Sequence, residues 1–408
     1  VIPAKAGIQV NAGLDSRWSL PRTAIRGGND RKRLVLFLSK EGMAMVPDSP
    51  RVTKVLAPWR WYTIQEQIHL PPLIKKARVD FMHFPHFNVP WMCPVPYLVT
   101  IHDLILLNSN RQRVSTLSPT IYRLKYAAWK ILLRHTLKKA RHIIVPSRAV
   151  YDELTQWMPA TNTKTTVIHE GAPISEARNW KLENRIGGKQ KYSEKLLDSR
   201  FYFLDSSYIL YVGSAYPHKN LERLLRAFQL LFYKLQTILK ISRRETNYKL
   251  ILVGKQDYFY QRLKREMQNP PPPSPPLQGG EKGEVIFTGE VTDQELSALY
   301  QNARLVILPS LHEGFGLPAL EAAVHSVPVA CSNIPVLQEI MSDSAFFFNP
   351  YDVEDMARVM HEALTNEPAR QEKIKKARER AQQFSWEKMA RETLKIYQNI
   401  SASLTAGN

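Results

Sequence analysis

The chain has 408 residues and a formal net charge of +19, with 44% apolar and 23% charged residues. That length exceeds one ordinary hydrophobic core and sets two domains as the expectation, and the composition excludes a disordered chain. Cys93 and Cys331 lack any disulfide-framework or zinc spacing, no apolar run approaches the roughly 18 residues of a membrane span, and the first residues lack a signal-peptide pattern, so the expectation is a cytoplasmic protein, soluble or held peripherally at the inner face of the membrane.

In chain order, residues 1–30 show no convincing strand and are expected to form an atypical, disordered segment. Strand patterns follow at 33–38, 53–56, 81–84, 97–101, 143–146 and 166–169. Helices are expected at 61–70, 119–140 and 147–157, the last with Ser147 as its cap. After a polar stretch at 179–200 the alternation restarts, with strands at 207–212, 249–253, 284–288, 304–308, 327–330 and 345–348. Helices there are expected at 220–239, 293–302, 318–325, 335–341 and 353–364, and Thr292 with Glu295 reads as a capping box. A proline-rich stretch at 269–283 reads as an exposed insertion, and 385–400 reads as a final helix with Trp386, Met389, Ala390, Leu394 and Tyr397 spaced for one face. Alternating strands and helices imply parallel sheets covered by helices. The expected domains are 31–190 and 191–384, with a ligand crevice between them and a closing segment at 385–408.

The charge is unevenly spread. No acidic residue occurs from 104 to 151, a stretch that carries Arg111, Arg113, Arg123, Lys125, Lys130, Arg134, Lys138, Lys139, Arg141 and Arg148. The helix within it sets Ile121, Leu124, Ala128, Ile131 and Leu132 on one face, with Tyr122, Tyr126, Trp129 and Leu133 beside them. Two readings stand: a core-facing helix with a solvated basic back, or a surface for anionic lipid headgroups. No nucleic-acid-binding motif accompanies the charge, so nucleic acid is not an expected partner.

The densest motif is His312-Glu313-Gly314-Phe315-Gly316-Leu317-Pro318-Ala319-Leu320-Glu321, which runs from a buried strand through a glycine turn into a helix. Gly314 and Gly316 let the main chain approach a ligand, Phe315 and Leu317 complete the turn, and the helix start favours phosphate through its amides and dipole. Glu313 and Glu321 are natural acceptors for sugar and ribose hydroxyls. Their alternative is a helix-start acid and a solvated surface acid. Lys219 lies in Gly213-Ser214-Ala215-Tyr216-Pro217-His218-Lys219-Asn220, at a strand-to-helix turn where a cation can neutralise a departing diphosphate. The alternative there is a surface lysine. His102 and Asp103 stand at the carboxyl end of a strand, where ligand contacts emerge in open α/β sheets, or where a histidine caps the strand through a main-chain bond. His83 and His86, in Phe81-Met82-His83-Phe84-Pro85-His86-Phe87, are either site-lining or packing residues, and no carboxylate or cysteine stands at metal-ligand spacing to them.

The E-x7-E pattern at Glu313 and Glu321, with Gly-x5-Lys-Asn at 213–220, resembles the retaining glycosyltransferases of family 4 over residues 33–400. The resemblance implies the GT-B fold, two Rossmann-like domains facing a central cleft, with the last helix crossing back onto the first domain. It places Glu313 at the donor sugar, Glu321 at the nucleotide ribose and Lys219 on the diphosphate, with Gly213, Gly314, Phe315, Gly316 and Leu317 around the donor. It places His102 near the donor sugar and acceptor, and His83, His86 and Asp103 on the acceptor side. Related chains carry arginine near Ser214 or at His218, a cation here absent or reduced to histidine.

The same resemblance implies transfer of a sugar, of mannose type, from a nucleoside diphosphate sugar to a hydroxyl of a glycan, lipid-linked or polysaccharide precursor, with retention and without a cofactor. No Asp-x-Asp triplet occurs, so no metal is expected. Family members open with a strand and glycine-rich loop that this chain does not show. The expectation is that this first unit is missing or replaced, leaving an open sheet edge and an incomplete acceptor site. A compromised sugar-nucleotide-binding protein and an epimerase are the competing readings.

Overall fold

A computed structural model of the chain describes residues 22–26, 33–60, 63–108, 119–172, 207–237, 248–268 and 283–406. Gly27 and Gly28, Arg111 and Arg113, the polar stretch 179–200 and the insertion up to residue 282 lie outside them. The chain forms two compact units, one of Val1–His169 with Trp386–Asn408 and one of Glu170–Ser385.

The first unit is built on a seven-stranded sheet in the order β3-β2-β1-β4-β5-β6-β7. Its strands are β1 (Arg22–Arg26), β2 (Arg33–Leu38), β3 (Val52–Leu56), β4 (Phe81–Phe84), β5 (Tyr97–Thr100), β6 (His142–Val145) and β7 (Thr165–Val167). Its helices are α1 (Lys40–Met45), α2 (Ile64–Ala77), α3 (Ile105–Asn108), α4 (Pro119–Lys139), α5 (Arg148–Trp157) and the final helix of the chain, Trp386–Ala406. β4, β5 and β6, at the centre of the sheet, are mostly apolar and buried because both sheet faces are covered there. Tyr97, Val99, Ile143 and Val145 pack on one face with Leu70 and Ile74 of α2 and Leu133 and Leu137 of α4. Leu98 and Ile144 point the other way, onto Ile396, Tyr397 and Ile400 of the final helix. Ser147 caps α5, its Oγ accepting from the Val150 amide at 3.2 Å.

Three expectations change here. The slot of the missing first strand is filled by β1, inside the segment expected to be disordered. It pairs antiparallel with β2 (Arg26 opposite Arg33) and with β4 (Ile25 opposite Phe81), so no sheet edge is left open there. α2 does not stop at Leu70. It runs through Pro71 and Pro72 to a left-handed cap at Arg78, because Leu70 and Ile74 are both fully buried and their packing outweighs the lost backbone bonds. The face of α4 carrying Ile121, Leu124 and Ile131 does not meet the core. These residues are 49%, 74% and 57% exposed, and the core takes Leu133, Thr136, Leu137 and Ala140 instead.

The second unit holds a six-stranded sheet in the order β10-β9-β8-β11-β12-β13, parallel throughout. Its strands are β8 (Tyr208–Val212), β9 (Lys249–Val253), β10 (Val285–Gly289), β11 (Leu305–Leu308), β12 (Val329–Ser332) and β13 (Phe346–Phe348). Its helices are α6 (Leu221–Thr237), α7 (Tyr258–Gln268), α8 (Asp293–Asn302), α9 (Leu317–Val324), α10 (Pro335–Met341), α11 (Val353–Thr365) and α12 (Glu367–Ala381). The Thr292–Glu295 capping box of α8 is formed in full. The strand order reverses between β8 and β11, which makes their carboxyl ends the switch point of the sheet, where ligands bind in this architecture.

Candidate functional site

Both densest motifs end at that switch point. After β8 the chain turns at Gly213, passes through a short helical turn at Pro217–Lys219, and enters α6. After β11 it passes Ser310 and Glu313 before α9. Lys219 Nζ donates to Glu313 Oε1 at 2.8 Å and Oε2 at 3.0 Å, and Ser310 Oγ donates to the same Oε1 at 2.6 Å. The ammonium and carboxylate are only 13% and 10% exposed, so their attraction is poorly screened by water. Asn220 locks the arrangement. Its left-handed backbone (φ 61°) ends the Lys219 turn, and its side-chain amide donates to the carbonyls of Pro309 at 2.9 Å and Pro350 at 2.8 Å.

The Gly213 turn is braced from behind. Tyr211 Oη donates to the Ser214 carbonyl at 2.7 Å and Tyr260 Oη to the Gly213 carbonyl at 2.8 Å. Gly254, at the end of β9, lies so close that a Cβ on it would stand 2.1 Å from the Gly213 carbonyl oxygen. Because backbone meets backbone there, Gly254→Ala must displace the turn. It should cost about 2 kcal/mol and weaken ligand binding at this turn, checked by thermal melting and titration calorimetry.

Gly316 caps α9 with φ 97°, a conformation L side chains rarely adopt, and a Cβ there would also meet Leu337 Cδ2 at 2.7 Å. The helix starts at Leu317, which puts Pro318 second rather than first. Both positions lie in the first turn, whose amides have no partner within the helix. Phe315 is buried, its ring edge-on to Phe384 at 5.7 Å. Glu321 accepts from Tyr300 Oη at 2.6 Å, and Tyr300 in turn stacks on His325 at 5.4 Å. Burial, with Glu321 beside it, holds the Tyr300 hydroxyl protonated and therefore a donor. His218 is no second cation as it stands. Its ring is buried, and enclosure first, then Lys219 and His312, push its pKa well below the ordinary imidazole value.

The histidines picked out in the first half lie at the carboxyl ends of β4 and β5. His102 Nε2 bonds the Pro85 carbonyl at 3.0 Å, the main-chain bond of a histidine that caps a strand end, which fixes Nε2 as the protonated nitrogen because a carbonyl only accepts. Asp103 Oδ1 accepts from the Ile105 amide at 3.1 Å and so starts α3. His83 uses both ring nitrogens, one with Tyr397 Oη at 2.6 Å and one with Thr100 Oγ1 at 2.8 Å. It ties β4 and β5 to the final helix. His86 lies against Phe87, ring centroids 4.1 Å apart.

Burial, and secondarily His102, lower the pKa of His83 and of His86 to about 3. Unfolding returns them toward the ordinary 6.5, so the unfolded chain binds protons that the folded chain refuses. Stability from these groups is full above pH 6.5 and drains as pH falls from there toward 3. Thermal melts across that window should show Tm falling in the wild type and falling less steeply in His83→Gln.

Ser310, Tyr300, Tyr260 and Gly254 are the site residues sequence reasoning missed. Ser310 stands three positions before Glu313, a spacing that is a signal in hindsight. The others come from neighbouring strands and helices, and no local pattern marks them. Among the described residues no cluster of histidine, cysteine, aspartate or glutamate has metal-holding geometry, and no helix is long and apolar enough to cross a membrane.

Residues 194–380 match the family described as "Glycosyl transferases group 1", and residues 26–176 match "Glycosyltransferase Family 4". The chain is 31% identical over 307 residues to the serotype-specific mannosyltransferase WbdA of Escherichia coli, covering 74% of this chain and 33% of that protein. It thus spans about a third of that relative's length. It is 26% identical over 306 residues to the O-antigen chain mannosyltransferase RfbU of Salmonella typhimurium, covering 74% of this chain and 69% of that one. Among solved structures it is similar in fold to the sucrose-phosphate synthase of Thermosynechococcus elongatus, with a TM-score of 0.59, 20% identity and coverage of 88% and 86%. It is also similar to Anabaena HepE in complex with UDP and glucose, with a TM-score of 0.56, 16% identity and coverage of 86% of each chain. Two family matches in sequence order, on two α/β units with a switch-point site carrying the E-x7-E motif, place this chain in the family 4, group 1 glycosyltransferases of GT-B fold.

Proposed function

We propose that the chain transfers a mannosyl residue from a nucleoside diphosphate sugar to a hydroxyl of a glycan acceptor, lipid-linked or a polysaccharide precursor, with retention and without a metal. The observation that carries this reading is the Lys219–Glu313–Ser310 constellation at the β8–β11 switch point. A diphosphate entering there competes with Glu313 for the Lys219 ammonium, and the released carboxylate then accepts from sugar hydroxyls. Lys219 and the α9 start take the negative charge that develops as the anomeric bond breaks. Glu321, held by Tyr300, is the acceptor for the ribose, and His102 is assigned to the donor sugar and acceptor. The mannose assignment is supported by the names of the relatives in O-antigen synthesis.

The test is a thermal-shift and calorimetric screen against GDP, UDP, ADP and their sugar conjugates, with Lys219→Ala as control, followed by transfer to a glycan acceptor. The expected result is one preferred nucleotide whose binding the variant loses, turnover that survives EDTA, and a product with the donor's anomeric configuration.

One observation favours a second reading. β1 runs against its neighbours and ends beside the amino end of β2, where Arg26 pairs with Arg33. β1 therefore ends on the side of the sheet opposite the ligand-facing strand ends. A sugar-nucleotide-binding protein without turnover would share the nucleotide result and fail the transfer.

A further inference from the structure

α4 carries two apolar faces, and the core uses only one of them. The other consists of Ile121, Leu124, Ala128 and Ile131, in steps of three, four and three along the helix. All four are exposed, Leu124 the most at 74%. His135 continues the stripe one step further. Its ring stacks on Trp91 at 3.8 Å and its Nε2 bonds the Trp91 carbonyl at 3.0 Å. The loop tip of Trp91 and Met92, 50% and 78% exposed, is thereby fixed at the end of the same stripe.

The flanks are all of one sign. At 100° per residue, Arg123, Arg134 and Lys138 fall along one side of the stripe and Lys125 and Lys139 along the other. All five are exposed, and the chain from 104 to 151 contains no acid to neutralise them. An exposed apolar stripe bordered by lysine and arginine on a helix packed flat against its domain has the pattern of an interfacial helix. A second copy of this chain would bring like charges together along both flanks of such a stripe. A nucleic acid would satisfy the cations and leave the leucine and isoleucines in water.

We propose that this face of α4, with the Trp91–Met92 tip, lies in the headgroup layer of an anionic phospholipid bilayer. The helix is parallel to the surface, its apolar stripe reaches the acyl boundary, and its flanking cations meet lipid phosphates. The proposal does not rest on the transfer reaction, and its test needs no turnover.

The experiment is flotation of the full chain with vesicles of phosphatidylcholine alone or mixed with phosphatidylglycerol, at low and high salt. The wild type should float with the mixed vesicles, more at low salt, and not with phosphatidylcholine alone. Leu124→Glu, at an exposed position, should lower partitioning by about tenfold or more, and Lys125→Gln and Lys138→Gln by about fivefold each. Circular dichroism and melting should match the wild type in each. A wild type that stays out of the mixed vesicles overturns the proposal. So does binding that Leu124→Glu leaves unchanged, because the contact would then be purely electrostatic, and so does a dimer in solution that Leu124→Glu dissociates while vesicles fail to bind.

Discussion

Lys219→Ala is expected to lower kcat/KM for sugar transfer by about a thousandfold and to abolish measurable binding of the free nucleoside diphosphate. Within the second unit Lys219 is the side-chain cation bonded to Glu313, and burial gives its charge a weight it would lack in water. In the proposed reaction the leaving diphosphate gains charge as the sugar departs, so the loss should fall on kcat as well as on donor affinity. Removing one partner of a mostly buried pair also costs stability, about 3 kcal/mol. The fold should survive this, because Asn220 still holds the turn to the carbonyls of Pro309 and Pro350. Steady-state kinetics, calorimetry with the nucleotide and a thermal melt separate the effects. Wild-type turnover in a folded Lys219→Ala protein would remove Lys219 from the reaction.

Glu313→Gln should behave differently although it sits on the same ion pair. It keeps the side chain's size and an acceptor for Ser310 but releases Lys219 from its carboxylate. Transfer should fall about a hundredfold as the proposed contact to the sugar hydroxyls weakens, while binding of the diphosphate without sugar is retained or tightened. The double variant Lys219→Ala with Glu313→Gln should be little worse than Lys219→Ala alone, since groups acting as one unit are not additive. Equal and independent losses in the two single variants, multiplying in the double, would contradict a shared unit.

Much of the fold was legible in the sequence. Tyr208–Val212 is an unbroken apolar run and Lys249–Val253 is one lysine followed by four apolar residues, and both are strands buried from end to end. The Thr292–Glu295 box announced α8. β1 was not legible, because Arg-Thr-Ala-Ile-Arg has no strong strand signal and gains its conformation from pairing on both sides. Nor was the length of α2, since local propensity forbids Pro71 and Pro72 and only the burial of Leu70 and Ile74 overrides it.

The sequence by itself determined the chemistry at hand: a glycine turn between two glutamates, a lysine after a strand, a cationic helix with apolar residues on more than one face. It could not say which face of α4 enters the core, because periodicity gives the stripes and only the neighbouring sheet chooses between them. The tertiary structure decided that Leu133 and Leu137 go in and Leu124 stays out. It also decided that Lys219 meets Glu313 across a separation of 94 residues. That meeting follows from strand order, which sets β8 beside β11 where the sheet reverses, and strand order is fixed by the packing of the whole unit rather than by any local run of residues.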